Sequence, residues 1–115
     1  MNATKKHIWY QAESIVAEWL SNNHYQIIER NYTIRWWEID IIAQYKAILI
    51  FIEVKVVDHV FDLHDYITSA KLKHLHKTIW HYLNTHTHYW DIQLDVIFVR
   101  SNMIVQHIKN VTGER

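Results

Sequence analysis

The sequence contains no cysteine and no proline, and its only glycine is Gly113. Without cysteine, a disulfide and a thiolate-bound metal are both excluded, which is compatible with a reducing cytosol. With a single glycine, the chain cannot form a glycine-rich phosphate-binding loop. Stability must therefore come from the packing of a hydrophobic core, and any bound metal must be held by oxygen or histidine nitrogen atoms.

Two further features are missing: an excess of charge and a long apolar run. Twelve basic and twelve acidic residues cancel, which counts against a nucleic-acid binder, although ten histidines add positive charge below about pH 6.5. A membrane-spanning helix needs roughly 18 apolar residues, and the longest run, Ala47–Ile52, has the length of a strand. We expect a soluble, unexported protein of the cytoplasm.

Half of the 115 residues are hydrophobic, enough for the core of one domain. Apolar residues at helical spacing predict a helix over Lys5–Ser21 and a second helix that begins at the N-cap residue Thr68. β-Branched and aromatic runs predict five strands: Tyr25–Ile34, Glu38–Gln44, Ala47–Val57, Gln93–Arg100 and Met103–Ile108. We expect an α/β fold over residues 1–115, with a mixed sheet of about five strands flanked by helices and a tail that frays from about Asn110.

The second and third predicted strands are apolar except for a few charged residues. Alternate residues of a strand share a face, so Glu53 and Lys55 point the same way. If the hairpin turns at Tyr45–Lys46, Glu38 lies opposite Glu53 and Asp40 opposite Phe51. Asp40 and Glu53 are then diagonal neighbours on one face, close enough to share an ion. A three-residue loop would separate them.

Carboxylates that meet inside a covered sheet are destabilising unless positive charge compensates them. Lys55 supplies one charge, and a divalent cation could supply the rest. Oxygen ligands suit magnesium or manganese. The alternative interpretation is that these are edge residues or a salt-bridged pair at a strand end. An acid followed by acid–x–Lys on the next strand of a hairpin favours the metal site.

These residues resemble the restriction-endonuclease-like superfamily, in which an Asp and a Glu–x–Lys on neighbouring strands bind the catalytic metal. The closer resemblance is to the YraN-like family of small bacterial proteins, also designated UPF0102, whose members look like archaeal Holliday-junction resolvases. The resemblance covers nearly the whole chain, in the segments Ala12–Glu13 with Ala17 and Leu20, Ile28–Tyr32, Glu38–Ile42, Phe51–Lys55, Lys71 with Tyr82–Leu83, and Leu94–Val96.

The chain departs from the family pattern at two places. Trp37 stands where the family has a glycine before Glu-Ile-Asp, and glycine allows backbone conformations that tryptophan does not. Val56–Val57 replaces the Thr-Arg that follows Glu-Val-Lys in the family. The second change removes a basic residue that could contact a phosphate group of DNA.

The resemblance implies a magnesium- or manganese-dependent endonuclease that acts on DNA, including branched or structured DNA. Asp40 and Glu53 would hold the metal together with the backbone carbonyl of Val54. Lys55 would orient the attacking water or neutralise developing charge, and the two carboxylates are expected to keep it protonated. Glu13 would position a second metal or a water.

Basic and aromatic residues supply the expected DNA contacts. The phosphate contacts predicted are Arg30, Arg35, Lys71 and Lys73, with a solvated helix face as the alternative for the lysines. Trp36 or Trp37 could stack on unpaired bases, with core packing as the simpler interpretation. The histidines show no zinc-motif spacing.

DNA is the expected partner, no membrane partner is expected, and a homodimer is left open. Two rival functions remain. One is a non-catalytic nucleic-acid-binding accessory protein with the same fold, which the neutral net charge and the missing Thr-Arg favour. The other is a protein-interaction module, which predicts no salt-sensitive affinity for DNA.

Overall fold

The computed structural model describes residues 3–35, 37–58, 66–86 and 91–111. Helices and strands follow one another in the predicted order: α1 (Ala3–Asn22), β1 (Gln26–Ile34), β2 (Trp37–Tyr45), β3 (Ile48–Val56), α2 (Ser69–Thr85), β4 (Asp91–Arg100) and β5 (Met103–Ile108). The prediction of an α/β fold with a mixed five-stranded sheet flanked by helices is confirmed.

The strands lie side by side in chain order, β1-β2-β3-β4-β5. The first three form an antiparallel meander, β3 and β4 are parallel, and β5 returns antiparallel to β4. A parallel pair needs a crossover connection, and α2 lies in the one between β3 and β4. The middle of both strands is buried, which explains why their sequences are so apolar.

The two helices cover opposite faces of the sheet. Residues of α1 pack in one core cluster with Ile41 and Ile52, whereas residues of α2 pack in another cluster with Ile42 and Phe51. Adjacent strand residues point to opposite faces, so the two clusters lie on the two sides. The predicted N-cap is also confirmed, since the side chain of Thr68 accepts a hydrogen bond from a backbone N–H of the first turn of α2.

The hairpin between β2 and β3 turns one residue later than predicted, at Lys46–Ala47. Ile42 pairs with Phe51. When this register is continued along the two strands, Asp40 lies opposite Glu53. The predicted pairing of Asp40 with Phe51 is therefore wrong by two residues. Because the turn still has two residues, the strand parity is unchanged. The predicted proximity of Asp40 and Glu53 is confirmed by the direct interaction of their carboxyl groups.

The chain after β5 is still attached to the sheet at the last described residue. The backbone N–H of Val111 donates to the carbonyl oxygen of Leu94 at 2.8 Å. The rest of the tail that was predicted to fray, residues 112–115, lies outside the described residues. Neither α1 nor α2 is long and apolar enough to cross a membrane.

Candidate metal centre

β1 departs from regular strand geometry at Asn31, which the register of the neighbouring pairs places opposite Asp40 of β2. Asn31 has a left-handed backbone, with φ of 55°, a conformation that asparagine tolerates better than most residues. Along β2, Ile39 packs with the α2 cluster and Ile41 with the α1 cluster. The alternation expected of a regular strand is therefore interrupted at Asp40.

The Asp40 side chain occupies the gap that opens between β2 and β3. The described pairing of these strands ends at Ile41 and Ile52. Beyond it, Oδ2 of Asp40 accepts a hydrogen bond from the backbone N–H of Val54 at 2.7 Å. The N–H and C=O of one strand residue point to the same side, so the Val54 carbonyl also faces β2. In a regular antiparallel pair, the Val54 N–H would donate to a backbone carbonyl oxygen of β2. Here it donates to the side chain of Asp40 instead.

Three carboxylates meet at this irregularity. Ligand oxygens of Glu13, Glu38 and Asp40 lie within 4.8 Å of one another, close enough to hold a metal ion together. Glu13 is fully buried and Asp40 is 3% exposed, while Glu38 is half-buried. Glu13 reaches the cluster because it lies on the buried face of α1.

Side chains of β1 orient two of these carboxylates. The guanidinium of Arg30 donates to Oε1 of Glu13 from Nε and from one terminal nitrogen, at 3.1 and 3.0 Å. The amide of Asn31 donates to Oε2 of Glu13 at 2.8 Å and to Oε1 of Glu38 at 3.2 Å. Thr33 donates to the other oxygen of Glu38 at 3.3 Å. The asparagine at the irregularity therefore links the helix carboxylate to the strand carboxylate.

Glu53 approaches Asp40 from β3 and connects the cluster to α2. Its carboxyl group interacts with that of Asp40, and its Oε2 lies 3.3 Å from Nζ of Lys71. Lys55 interacts in turn with Lys71, and its Nζ lies 5.9 Å from the ring centroid of Tyr66. Two lysines from different elements therefore flank the Glu53 side of the cluster.

The pKa values of two of the carboxyl groups are raised above their usual range, mainly by burial. Burial raises the pKa of Asp40 well above its usual range, the neighbouring Glu53 raises it further, and the Val54 N–H opposes both effects. Burial also raises the pKa of Glu13 in spite of its hydrogen bonds to β1. Each of these two groups is therefore harder to ionise than a carboxyl group in water.

The pKa of Lys55 is lowered, first by burial and then by the positive charge of Lys71. Glu53 and Asp40 act in the predicted direction and raise this pKa, but they are outweighed. The prediction considered only the carboxylates, because nothing in the sequence indicated that Lys71 lies beside Lys55.

The structure brings together all the residues predicted for the catalytic and metal roles, namely Glu13, Asp40, Glu53, Val54 and Lys55. The four predicted DNA contacts divide into two pairs. Arg30 and Lys71 have carboxylate partners within the site, whereas Arg35 and Lys73 are exposed.

Sequence reasoning left out two residues of the cluster, Glu38 and Asn31. Glu38 could have been included, because it is two residues from Asp40 on the same strand. The signal for Asn31 was weak: an amide residue within a strand that is otherwise mainly β-branched and aromatic. The contact of Lys71 with Glu53 joins α2 to β3 and had no sequence signal.

Trp37 does not need the backbone freedom of the glycine that the family has at this position, since it begins β2 as an ordinary strand residue. The left-handed residue of the preceding turn is Arg35, with φ of 51°. The Trp37 ring stacks on His74 of α2 and is 36% exposed, so the interpretation of Trp37 as a core residue is wrong. Trp36 lies outside the described residues.

Comparisons with known proteins assign the chain to one family. The model of the "Uncharacterised protein family UPF0102" matches residues 12–99, a range that contains every residue of the carboxylate cluster. A UPF0102 protein of Campylobacter hominis is 36% identical over 103 residues, which cover 90% of this chain and 91% of the relative. UPF0102 proteins of Treponema denticola and Pseudothermotoga lettingae are 36% and 32% identical, each over 90% of this chain and over 93% and 96% of their own. The chain belongs to the UPF0102 family.

Proposed function

We propose that this chain is a magnesium- or manganese-dependent endonuclease that acts on DNA in the cytoplasm, with branched or structured DNA as its substrate. The proposal includes membership of the restriction-endonuclease-like superfamily. The observation that carries it is the meeting of Glu13, Glu38 and Asp40 within 4.8 Å, with Glu53 in contact with Asp40. Basic side chains that lie beside these four carboxylates include Arg30, Lys55 and Lys71.

The donor set fits a hard divalent cation, because it consists of carboxylate and carbonyl oxygens. Asp40 and Glu53, with the carbonyl of Val54, are the proposed ligands. Among the described residues, the backbone N–H of Val54 donates to Asp40, and the carboxyl groups of Glu13, Glu38 and Glu53 lie close to it. The pKa of Asp40 is raised by burial first and then by Glu53, and a bound cation would favour the ionised form against both effects. Glu38 extends the ligand set proposed from the sequence, and Glu13 would position a second ion or a water.

A bound divalent cation would supply an acidified water and offset negative charge on the scissile phosphate. Lys55 would donate hydrogen bonds to the attacking water or to a phosphate oxygen, where charge develops in the transition state. Lys71 holds Glu53 through their ion pair and adds a second positive charge. Arg30 and Asn31 keep the carboxylate of Glu13 turned towards the cluster.

Single-turnover cleavage with saturating manganese tests this function on branched, single-stranded and duplex DNA. We expect Lys55→Met to reduce cleavage by at least about 100-fold while affinity for the same DNA changes little, as expected when a transition-state donor is lost. Lys46→Met is the matched control, because Lys46 is an exposed lysine in the β2–β3 turn. The rival accessory protein would bind DNA without cleaving it, and cleavage unaffected by Lys55→Met would refute the role of this lysine.

The DNA-contacting surface is proposed to include the exposed Arg35 and Lys73. Because the net charge is zero, affinity must come from such local positive charge and fall steeply with salt. We expect Lys73→Ala to lower the slope of log affinity against log salt by about one. Lys46→Ala should leave the slope unchanged. Equal slopes for wild type and Lys73→Ala would remove Lys73 from the contact surface.

A further inference from the structure

Trp37 and His74 form an aromatic wall beside the carboxylate cluster. Their ring centroids lie 3.6 Å apart with an interplanar angle of 12°, so the rings are stacked. The two residues border a cavity of about 450 Å³, which is also lined by Glu38, Asp40, Glu53 and Lys71. The aromatic wall and the proposed metal ligands therefore share one cavity.

Core packing does not account for this wall. Trp37 keeps 36% of its surface exposed, whereas a tryptophan that serves only packing is largely buried. Within the described part of the chain, Nδ1 of His74 is buried and has no hydrogen-bond partner. Stacking, rather than a hydrogen bond to this nitrogen, therefore sets the position of the imidazole. A buried nitrogen without a partner is unfavourable, and its presence next to a polar cavity calls for a functional explanation.

We propose that the Trp37–His74 wall is a binding site for an unpaired nucleobase of the DNA substrate. This inference rests on the proposed nuclease function and specifies its substrate: DNA with an unpaired nucleotide next to the scissile phosphate. Every base has a π-face that stacks on an aromatic ring, so the site needs no particular sequence. His74 is a positioning residue, since it packs on the indole and holds it at the cavity.

The other groups of the cavity favour a nucleotide over an apolar peptide. Carboxylates suited to a cation lie on one side, and Lys71 adds positive charge for a phosphate. A volume of about 450 Å³ is in the range of small-molecule sites. A base inside a duplex already stacks on both neighbours and would have to leave the helix to reach Trp37. The wall therefore selects for bases that are already unpaired.

Binding of DNA with 2-aminopurine, either in a one-nucleotide bulge or paired within the duplex, tests the proposal. The titrations use wild type in chelator, so that the metal needed for cleavage is absent, and Lys55→Met with manganese, because cleavage by this variant is expected to be slow. We expect the bulged 2-aminopurine to be quenched on binding and the paired one to change little. Trp37→Leu, which keeps apolar bulk without a π-face, should weaken binding of the bulged DNA by about 5- to 100-fold.

Three further variants sharpen the test. Trp37→Phe and His74→Phe should retain most of the preference for bulged DNA, because both keep the stack. Trp80→Leu is the matched control, since Trp80 is a 67% exposed tryptophan on α2 outside this cavity. An equal loss in Trp80→Leu would place base stacking on the outer face of α2 and overturn the proposal. Equally tight binding of bulged and paired DNA by wild type would overturn it as well.

The inference and the nuclease function fail in different ways. A protein that binds bulged DNA through Trp37 but never cleaves it would refute the nuclease function and leave the base site standing. Equal cleavage of bulged and paired DNA, insensitive to Trp37→Leu, would support the nuclease function and overturn the base site. The wild-type fluorescence titration decides the second question even if Trp37→Leu fails to fold.

Discussion

Asp40 and Asp95 are both buried carboxylates of the central sheet, and their surroundings differ. Asp95 on β4 is fully buried. One of its oxygens accepts hydrogen bonds from the Gln93 amide at 2.8 Å and from the backbone N–H of Asn110 at 2.9 Å. Nε2 of His107 lies 2.7 Å from the other oxygen. Groups able to donate thus surround Asp95, and they join β4 to β5 and to the segment after it.

Asp40 has the opposite environment. It accepts one backbone N–H, from Val54, and faces the carboxyl groups of Glu13, Glu38 and Glu53. The two aspartates are both removed from solvent but differ in the groups around them. A buried carboxylate among donors stabilises the fold, whereas a buried carboxylate among other carboxylates is costly to ionise unless positive charge compensates it.

The largest expected effect is on cleavage activity, which should depend on Asp40 and not on Asp95. We expect Asp40→Asn to reduce manganese-dependent cleavage by on the order of 1,000-fold, because the variant loses a charged ligand of the proposed metal. Asp95→Asn should stay within about threefold of wild type at a temperature where both are folded, because Asp95 lies outside the cluster. The measurement is single-turnover cleavage, and a comparable loss in both variants would refute the assignment of the site.

The second effect is on stability and concerns Asp95. Replacing it with alanine leaves the groups on Gln93, His107 and Asn110 without their acceptor in a buried position. We expect a loss of about 3 kcal/mol in the free energy of unfolding, or about 10 °C in Tm for a domain of this size. Urea unfolding gives the first number and thermal unfolding the second. A loss below about 1 kcal/mol would mean that water replaces the carboxylate easily.

The third effect is stabilisation by the metal. An ion that binds only the folded state adds about 2.7 kcal/mol when its concentration is 100 times its Kd, and less at lower excess. We expect manganese to raise the Tm of wild type and of Asp95→Asn alike. The rise should vanish in the Asp40→Asn, Glu53→Gln double variant. A rise of the same size in the double variant would place the ion elsewhere.

Local signals explain which parts of the fold were predictable. The N-cap at Thr68 and the strand Met103–Ile108 agree with the structure because capping and alternation are read from neighbouring residues. The hairpin register was off by two because Lys46–Ala47 carries no glycine or asparagine to mark the turn. The predicted face of each side chain was still correct, because a shift of two residues keeps every side chain on its face of the sheet.

The part of the candidate site that could be predicted is the part contributed by the hairpin of β2 and β3. Counting along two adjacent strands placed Asp40 and Glu53 on one face as diagonal neighbours, although their register was off by two residues. The left-handed backbone of Asn31 and the contact of Lys71 with Glu53 depend on how β1 and α2 pack against that hairpin. Such contacts between distant segments leave no periodic pattern, so a single sequence does not reveal them.

The smallest expected effect concerns the metal-free stability of Asp40→Asn. Asparagine has nearly the same shape, can accept the Val54 N–H and can donate to Glu53. Burial and Glu53 raise the pKa of Asp40, so ionising this group in the folded protein reduces stability. The penalty is absent below the ordinary pKa of about 4, grows as pH rises towards the raised pKa, and is complete above it.

We therefore expect Asp40→Asn in chelator to be more stable than wild type at about pH 8, by about 1 kcal/mol or about 4 °C in Tm. The two proteins should converge at about pH 3, below the ordinary pKa, where Asp40 is mostly protonated in both the folded and unfolded states. The difference in Tm between them therefore reports the ionisation of Asp40 together with that of the carboxyl groups beside it. Manganese should reverse the order, because it stabilises wild type alone. If wild type is instead the more stable protein at pH 8 in chelator, groups within the chain compensate Asp40 as they do Asp95, and the contrast between the two aspartates fails.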